Sequence, residues 1–541
     1  MSDSKYAYSE FWRIVVILSL VAIVIEYAET MLFPAIPDII ADFKSSYSNS
    51  SWVLSGYLIA AAVMAPLVGK LSDIYGKKKV LSVIMTIFVA SIAIAGFSTN
   101  IETLIGVRIV QGIGLSMFII ALSIMQSNVP KEKYALANGI LASAYFSGSS
   151  IGLVLGGVII HYFEWRTVFF SLIPIVVILL TIVIKFLHVK GEHDEEQQDR
   201  RNHYSIPARY DGNRNENETR NMSNKIDEKK ENNSDSGKNN GYFVPPLNVK
   251  HTFFKSLDIT GVITLAVTIT LFLTSLTYME NYDSNENAGD YNSIFIIGLA
   301  SSSVLSLILF LTVEKKAASP LVNLRLIANK TIFPVLMMYL ILGFTMFMVY
   351  QTIPILVRAP APLGLEGSTV TSSLVLLPFT LVFLALSPTV SILVRKFGNM
   401  KLFMAGSVIS AVGYFSIFLF HSTELEVSIT LTIVSSGLAL LNTVGMNIVM
   451  LSTPKRFGGV IIGMVQVLMF AGMSTGPVVG GIFMERNQES IDGILTSYPS
   501  ALAYDLIFLA ASIASLSFVA LAIILKMQKN LSNVSDPIHN P

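Results

Sequence analysis

Two stretches of this chain share one spacing of glycines: 'GILASAYFSGSSIGLVLGG' at residues 139–157 and 'GMVQVLMFAGMSTGPVVGG' at residues 463–481. Both stretches lie in apolar runs long enough to cross a bilayer, where small residues let helices approach closely. The repeat therefore predicts a membrane protein built from two related halves. The predicted helix-packing residues are Gly139, Gly148, Gly152, Gly156 and Gly157 in the first copy, and Gly463, Gly472, Gly476, Pro477, Gly480 and Gly481 in the second.

The composition places the whole chain in the membrane class. It is 52% hydrophobic and only 13% charged, which is more apolar surface than a soluble core absorbs. The net charge of +1 gives no excess that would favour a nucleic-acid partner. Without any cysteine there is no disulfide framework and no thiolate metal site, so no metal or other cofactor is expected. The polar N-terminus has no signal-peptide pattern, so the first apolar run is expected to be retained as a helix.

About fourteen apolar runs approach the length of roughly 20 residues that a spanning helix needs. The predicted spans are 13–33, 52–70, 80–98, 103–126, 135–160, 167–188, 258–279, 293–313, 332–352, 369–393, 401–420, 427–449, 460–484 and 503–526. Alternate loops are rich in Lys and Arg, whereas the others hold little beyond Lys44, Arg166, Arg358 and Arg486. By the positive-inside rule the basic loops are cytoplasmic, which puts both termini inside and requires an even number of spans.

A polar segment separates the sixth span from the seventh. Residues 189–257 are rich in Asn, Glu, Lys and Ser, the composition of a disordered linker. It is either a plain tether or a regulatory, partner-binding segment. We therefore predict an all-α integral membrane protein with pseudo-symmetric six-helix bundles at 1–188 and 314–541, joined by this linker and by two extra spans at 258–313. A monomer is expected.

Several motifs in these positions resemble those of one family. The loop after the second span, 'GKLSDIYGKKKVL' (69–81), has the register of that family's signature loop, and 'RIVQGIG' (108–114) is similar to its arginine motif. The chain resembles the major facilitator superfamily, and most of all its fourteen-helix drug:proton antiporters, with which the glycine motif is associated. The resemblance implies proton-coupled efflux of amphiphilic drugs or other small toxic compounds across the cell membrane by alternating access.

Branch-level matches extend along nearly the whole chain outside the linker. They are 'SSWVLSGYLIA' (50–60), 'EWRTVFFSLIP' (164–174), 'LDITGV' (257–262) and 'SPLVNLRLIANKTI' (319–332). Two positions depart from the pattern. Leu153 stands where the family has the proline that the second copy keeps, and Ala28 stands where the branch has an aspartate, so the acid of the first span is Glu26 or Glu29.

Glu26 and Glu29 are the predicted proton carriers. They lie three residues apart, about one helical turn, and roughly 20 Å and 24 Å from the start of the first span. A charge at this depth costs about 2.5–3.5 kcal/mol on insertion scales, so such residues usually face a cavity or a partner and mark ion pathways. The alternative is a hydrated pair near the outer interface.

Arg108 and Gln111 of the fourth span are expected at a similar depth. A permanent positive charge near either glutamate favours proton release. The hypothesis is that protonation loosens the pairing of the acid with Arg108 or Gln111, and that the halves then rock between two states. A static ion pair is the alternative.

The signature loop is expected at the cytoplasmic edge, where the resemblance implies a gate latch formed by Gly69, Asp73, Gly76, Lys77 and Lys78. The second half carries a weak echo, 'SILVRKFGNMKLF' (391–403), with Arg395 in the position of the aspartate and Gly398 in that of the glycine. We therefore expect an asymmetric latch. Other polar residues within spans are possible cavity-lining groups, or equally packing groups: Tyr57, Tyr145, Tyr350, Gln351, Asn442, Asn447 and Gln466.

Other classes of function fit less well. The chain has no GxxxxGK[ST] phosphate loop, so an ion gradient rather than ATP is expected to supply the energy. The histidines outside the linker are scattered without ligand spacing, which disfavours an enzyme. A receptor or scaffold would explain the linker but not the buried acids. Uptake of a small solute, coupled to protons or sodium, remains open.

Overall fold

The structure is a computed structural model that describes residues 2–189, 259–280, 291–317, 324–453, 458–491 and 496–535. Within these residues, fourteen helices are long and apolar enough to cross a membrane, which confirms the predicted all-α fold and the number of spans. The predicted linker at 189–257 lies outside the described residues, apart from Val189. The boundaries predicted for the bundles remain predictions.

The first six spans begin and end close to the predicted positions. Their elements are α1 (Ser2–Thr30), a 3₁₀ turn (Phe33–Ala35), α2 (Ile36–Phe43), α3 (Tyr47–Tyr75), α4 (Lys77–Gly96), α5 (Ile101–Gly112), a second 3₁₀ turn (Ile113–Ser116), α6 (Met117–Asn128), α7 (Lys131–Tyr162) and α8 (Trp165–Phe186). Side-chain caps fix two of the starts: Ser46 Oγ accepts from Asn49 N at 3.1 Å, and Asn100 Oδ1 accepts from Thr103 N at 2.7 Å.

The other eight spans follow in the same up-and-down order. Their elements are α9 (Ile259–Glu280), α10 (Tyr291–Lys316), a short α11 (Leu324–Ile327), α12 (Ile332–Arg358), α13 (Thr369–Phe397), α14 (Asn399–Leu419), α15 (Glu424–Ser452), α16 (Gly458–Arg486) and α17 (Ala501–Ser535). Between α16 and α17, an antiparallel hairpin pairs β1 (Gln488–Ser490) with β2 (Ser497–Pro499). Sequence reasoning missed this hairpin.

The helices pack as two sets that meet along two seams. In the first set α1 packs on α7, α3 on α5 and α4 on α8; in the second, α12 packs on α16, α14 on α15 and α17 on α14. The seams between the sets are α3 with α16 and α7 with α13. The extra helix α9 packs on α3 and α16, and α10 packs on α9.

The bundle has two ends, the Arg358 end and the Lys77 end. The Arg358 end contains α2, the end of α12 and the end of α16. The Lys77 end contains the turns between α3 and α4 and between α13 and α14. Both turns pass through a glycine with positive φ, Gly76 (93°) and Gly398 (79°), a backbone conformation that other residues rarely adopt.

Candidate functional site

The first glycine motif holds α7 against α1. A Cβ at Gly148, Gly152 or Gly156 would collide with the backbone of α1, at Ile23, Tyr27 and Met31 respectively. The Thr30 hydroxyl ties the same two helices together, because it donates to Ser149 O at 3.0 Å and to Glu26 O at 2.9 Å. Close approach of the two backbones therefore fixes the part of α1 that carries both acids.

The second motif repeats this arrangement in α16. A Cβ at Gly472 or Gly476 would collide with the backbone of α12, at Leu340 and Phe344, and one at Gly480 would contact Met348. The last glycine of each motif differs from the others because it meets the opposite set of helices. Gly157 lies against Ser373 of α13, and Gly481 lies against Ser51 of α3.

Gly139 and Gly463 do not take part in close helix packing in this structure. A Cβ at either position would meet no heavy atom within 4 Å, whereas the sequence predicted both as packing residues. Both glycines lie near the Lys77 end of their helices, where α7 and α16 begin. The glycine spacing predicted the repeat correctly, but it did not show that only part of each motif is in contact.

Glu26 and Glu29 are both buried, with 8% and 2% of their surface exposed. Their carboxyl groups are close electrostatic neighbours, and Tyr145 of α7 is a further neighbour of Glu26. One oxygen of each carboxyl is buried and has no hydrogen-bond partner among the described residues. Two adjacent buried carboxyl groups repel each other when both are ionised, so this pair has a place for one exchangeable proton.

Arg108 is fully buried beside this pair. Its Nη1 donates to Gln111 Oε1 at 2.9 Å and its Nε donates to Val53 O at 3.2 Å, while the guanidinium lies 4.0 Å from the centre of the Tyr57 ring. Its Nη2 has no partner. Gly112 makes this position possible, because a Cβ there would collide with Tyr57 O of α3.

The direct ion pair expected for Arg108 is not formed among the described residues. Arg108 and Glu29 interact electrostatically without a hydrogen bond, and Gln111 accepts the hydrogen bond from the guanidinium instead. Among the described residues, Nη2 of Arg108 and one carboxyl oxygen of Glu29 are both buried without a hydrogen-bond partner. The two side chains thus attract each other electrostatically but do not form an ion pair in this structure.

The two glutamates face different surroundings. The electrostatic neighbours of Glu29 include Arg108 and Tyr57 from α5 and α3, whereas Glu26 is the stronger neighbour of Tyr145 from α7 and of Tyr350 from the second set of helices. The hydroxyl groups of Tyr57 and Tyr350 are buried without a partner.

A continuous line of aromatic rings leads away from Glu26 across both sets of helices. Neighbouring ring centres are 4.7–5.7 Å apart along the series Phe118, Tyr145, Phe146, Phe383, Phe379, Tyr350 and Phe33. Only the two tyrosines were predicted from the sequence, because apolar rings are frequent in every span and do not distinguish one phenylalanine from another. Together with the acids, they form a largely buried apolar cluster with a few polar groups, which is the composition of ligand sites.

The other predicted lining residues do not reach the acid pair. Gln351 Nε2 donates to Ser51 Oγ at 2.6 Å, across the seam between α12 and α3. The carbonyl oxygen of Asn442 accepts from Tyr339 OH at 2.5 Å. Asn442, Asn447 and Gln466 are half-buried, and no described contact joins them to either glutamate.

The predicted gate residues lie on the surface of the Lys77 end. Asp73, Arg395 and Gly398 are exposed. Lys77 Nζ donates to Ser123 O and to Ser127 Oγ, each at 3.1 Å, which ties α4 to α6 within the first set. A Cβ at Gly69 would meet only Ile119, at 3.8 Å, and Lys78 is half-buried. The latch itself remains a prediction.

The opposite end carries polar contacts that the sequence did not predict. Arg358 pairs with both carboxyl oxygens of Asp38, with Nη2–Oδ1 at 2.7 Å, and Tyr47 N donates to Glu485 Oε2 at 2.8 Å. Each contact joins the first set of helices to the second. Arg358 is one of the few basic residues on this side of the predicted topology, but the sequence did not identify Asp38 as its partner.

Comparison with known proteins places this architecture in a family. The sequence profile described as Major Facilitator Superfamily matches residues 18–477. The chain is 25% identical over 345 residues to multidrug resistance protein 3 of Bacillus subtilis, covering 64% of this chain and 54% of that protein. It is 30% identical over 177 residues to the riboflavin transporter RibZ of Clostridioides difficile, covering 32% of this chain and 39% of that protein. The matched part thus spans less than two thirds of either relative.

A solved structure supports the same fold. The xylose transporter XylE from E. coli, in a partially occluded inward-open conformation, aligns with a TM-score of 0.55 over 94% of this chain and 97% of that one, at 11% sequence identity. Such low identity shows the fold alone. Because the profile covers most of the chain, the protein belongs to the Major Facilitator Superfamily.

Proposed function

We propose that this member of the Major Facilitator Superfamily is a secondary active transporter that exports amphiphilic compounds in exchange for protons. The observation that carries the proposal is the buried, electrostatically coupled pair Glu26 and Glu29 beside the fully buried Arg108. Acids inside a membrane bundle usually mark ion pathways, and this pair has a place for a transferable proton. The relative named for multidrug resistance supports the export of drugs.

The surroundings of the two acids suggest separate roles. Glu29, next to Arg108, is placed to bind and release the proton, because the guanidinium stabilises its anion. Glu26, with Tyr145 and the aromatic line, is placed to sense the substrate. A substrate that enters beside Glu26 disturbs the interaction between the two carboxyl groups, and the proton then leaves from Glu29.

Alternating access requires that the two ends open in turn. In this structure the contacts Asp38–Arg358 and Glu485–Tyr47 join the sets of helices at the Arg358 end, whereas near the Lys77 end a Cβ at Gly139 or Gly463 would meet no described atom within 4 Å. With the basic loops on the cytoplasmic side of a plasma membrane, this is a state that admits substrate from the cytoplasm. Both termini are then cytoplasmic as well.

The test uses purified protein in lipid vesicles that contain a pH dye, with ethidium as the probe. We expect ethidium to drive proton movement in the wild type, and Glu29→Gln to abolish it. Glu26→Gln is expected to weaken ethidium binding while proton binding by Glu29 persists. The matched control is Glu314→Gln, which alters another buried acid, in α10, and should leave coupling intact. Proton movement that survives both Glu26→Gln and Glu29→Gln contradicts the proposal.

Uptake of a small solute is the second candidate, and the similarity to the riboflavin transporter favours it. The same vesicles separate the two functions. Export by exchange moves protons and ethidium in opposite directions, whereas coupled uptake moves protons together with a solute such as riboflavin. If a sodium gradient drives transport without any proton movement, sodium rather than the proton is the coupling ion.

A further inference from the structure

The segment 'SPLVNLRLIANKTI' (319–332) has no part in the proposed transport cycle, although its sequence pattern is one of the most distinctive in the chain. Its described part forms α11 and the turn before α12, at the Lys77 end. This part forms one wall of a cleft of about 490 Å³ on the outside of the bundle, and the last turns of α17 form the other wall.

The cleft has an apolar floor and a single charged group at its rim. Ile327, Phe333, Leu521 and Ile524 supply the apolar lining, and Phe333 and Ile524 are still 45% and 43% exposed. Lys330 is exposed, and none of the nine lining residues is acidic. An apolar surface of this kind on a membrane bundle faces acyl chains, whereas a lysine at its edge faces head groups.

Two observations indicate a prepared site rather than ordinary lipid-facing surface. Asn329 Oδ1 accepts from Thr331 N at 2.9 Å, and Asn329 O accepts from Ile332 N at 3.1 Å, so the turn that carries Lys330 is held in place. On the facing wall, Gln528 Oε1 is buried and has no hydrogen-bond partner among the described residues. A buried acceptor of this kind is a suitable partner for a donor group of a ligand.

We propose that this cleft binds one anionic glycerophospholipid from the leaflet at the Lys77 end. The acyl chain lies against Phe333 and Ile524, and the phosphate pairs with Lys330. A head-group hydroxyl, such as that of phosphatidylglycerol, donates to Gln528 Oε1. Charge complementarity selects this occupant, because the only ionic group among the described lining residues is basic and the leaflet next to basic loops is rich in anionic lipid.

The experiment is a lipid titration of the purified full chain in detergent, followed by native mass spectrometry. Phosphatidylglycerol and phosphatidylcholine with identical acyl chains are compared. The wild type is expected to favour phosphatidylglycerol, and Lys330→Gln to lose about five-fold in affinity for it, the factor expected of one basic residue near an anionic head group. The matched control is Lys401→Gln, an exposed lysine of α14 at the same end, which should keep the preference.

Further arms test the shape of the site. Ile524→Trp fills the cleft and should abolish retention of both lipids. If Ile524→Trp does not give a monodisperse protein, Phe333→Ala is used instead, because it removes part of the surface that contacts the acyl chain and should also weaken retention of both lipids. Glycerol 3-phosphate, which has no acyl chain, should not displace the lipid. Equal retention of the two lipids by the wild type, equal losses in Lys330→Gln and Lys401→Gln, or displacement by glycerol 3-phosphate would each overturn the proposal.

Discussion

The two copies of the glycine motif make the same contacts in different chemical surroundings. In the first, α7 packs on α1 at Ile23, Tyr27 and Met31; in the second, α16 packs on α12 at Leu340, Phe344 and Met348. The contacted residues follow at steps of four in both helices. The repeat is therefore architectural: it produces two close helix pairs and then a contact with the opposite set of helices.

What differs is the chain between those contact points. On α1, Glu26 lies between Ile23 and Tyr27, and Glu29 lies between Tyr27 and Met31. The corresponding part of α12 carries no acid at all. A glycine motif on its own thus indicates helix packing, and the proton chemistry proposed here comes from the acids and Arg108, which only the first half places together. The following variants separate these two contributions.

The largest effect is expected from a large side chain in the middle of either motif. Gly152→Leu would force α7 away from Tyr27, and Gly476→Leu would force α16 away from Phe344 and Met348. Both should lose about 3 kcal/mol of stability, because overpacked sites relax only by moving backbone. Thermal unfolding of the purified variants measures this loss, and a clear inequality between them would contradict the architectural symmetry.

A smaller change at the same two positions tests the chemical asymmetry. Gly152→Ala displaces Tyr27 and Thr30 slightly, next to both acids, so proton coupling should fall more than folding does. Gly476→Ala is the matched control and should reduce stability with little effect on coupling. If the two alanine variants impair proton movement equally, the glycine motif itself takes part in coupling.

The next effect concerns the contacts between the two sets of helices. Gly157→Val and Gly481→Val place branched side chains against Ser373 and Ser51, so closure at the Arg358 end should weaken by about 1 kcal/mol. The double variant Ser150→Cys and Thr380→Cys measures this closure by disulfide cross-linking, because the two native hydroxyls are 2.8 Å apart. The chain has no native cysteine that would interfere. We expect cross-linking to fall about five-fold. Gly139→Val, in open surroundings, should leave it unchanged.

The sequence was sufficient for the features that depend on local composition. Apolar length predicted all fourteen spans, and the penalty for burying an acid drew attention to Glu26 and Glu29, which are buried. The contact between Asp38 and Arg358 was not predictable, because its partners are 320 residues apart and meet only once both sets of helices are assembled. Likewise, nothing in the sequence distinguishes Phe379 or Phe383 from a phenylalanine that faces lipid.

A more moderate effect is expected at the ion pair of the Arg358 end. Asp38→Asn removes the contact with Arg358 and should lower the same cross-linking about two-fold, since a partly exposed pair contributes about 0.5 kcal/mol. The matched control is Asp42→Asn, which breaks the pair Asp42–Arg166 within the first set of helices. If Asp42→Asn lowers the cross-linking as much, the pair Asp38–Arg358 has no special role in closure.

The smallest effect on stability is expected at the open ends of the motifs. Gly139→Ala and Gly463→Ala should raise stability by about 0.5 kcal/mol, because alanine is the better helix former and nothing lies within 4 Å of either position. Transport should nevertheless slow if α7 and α16 close over these glycines when the Lys77 end shuts. Unchanged turnover together with raised stability would show that no other helix packs against Gly139 or Gly463 at any stage of the cycle. The first glycine of each motif would then have no role in transport.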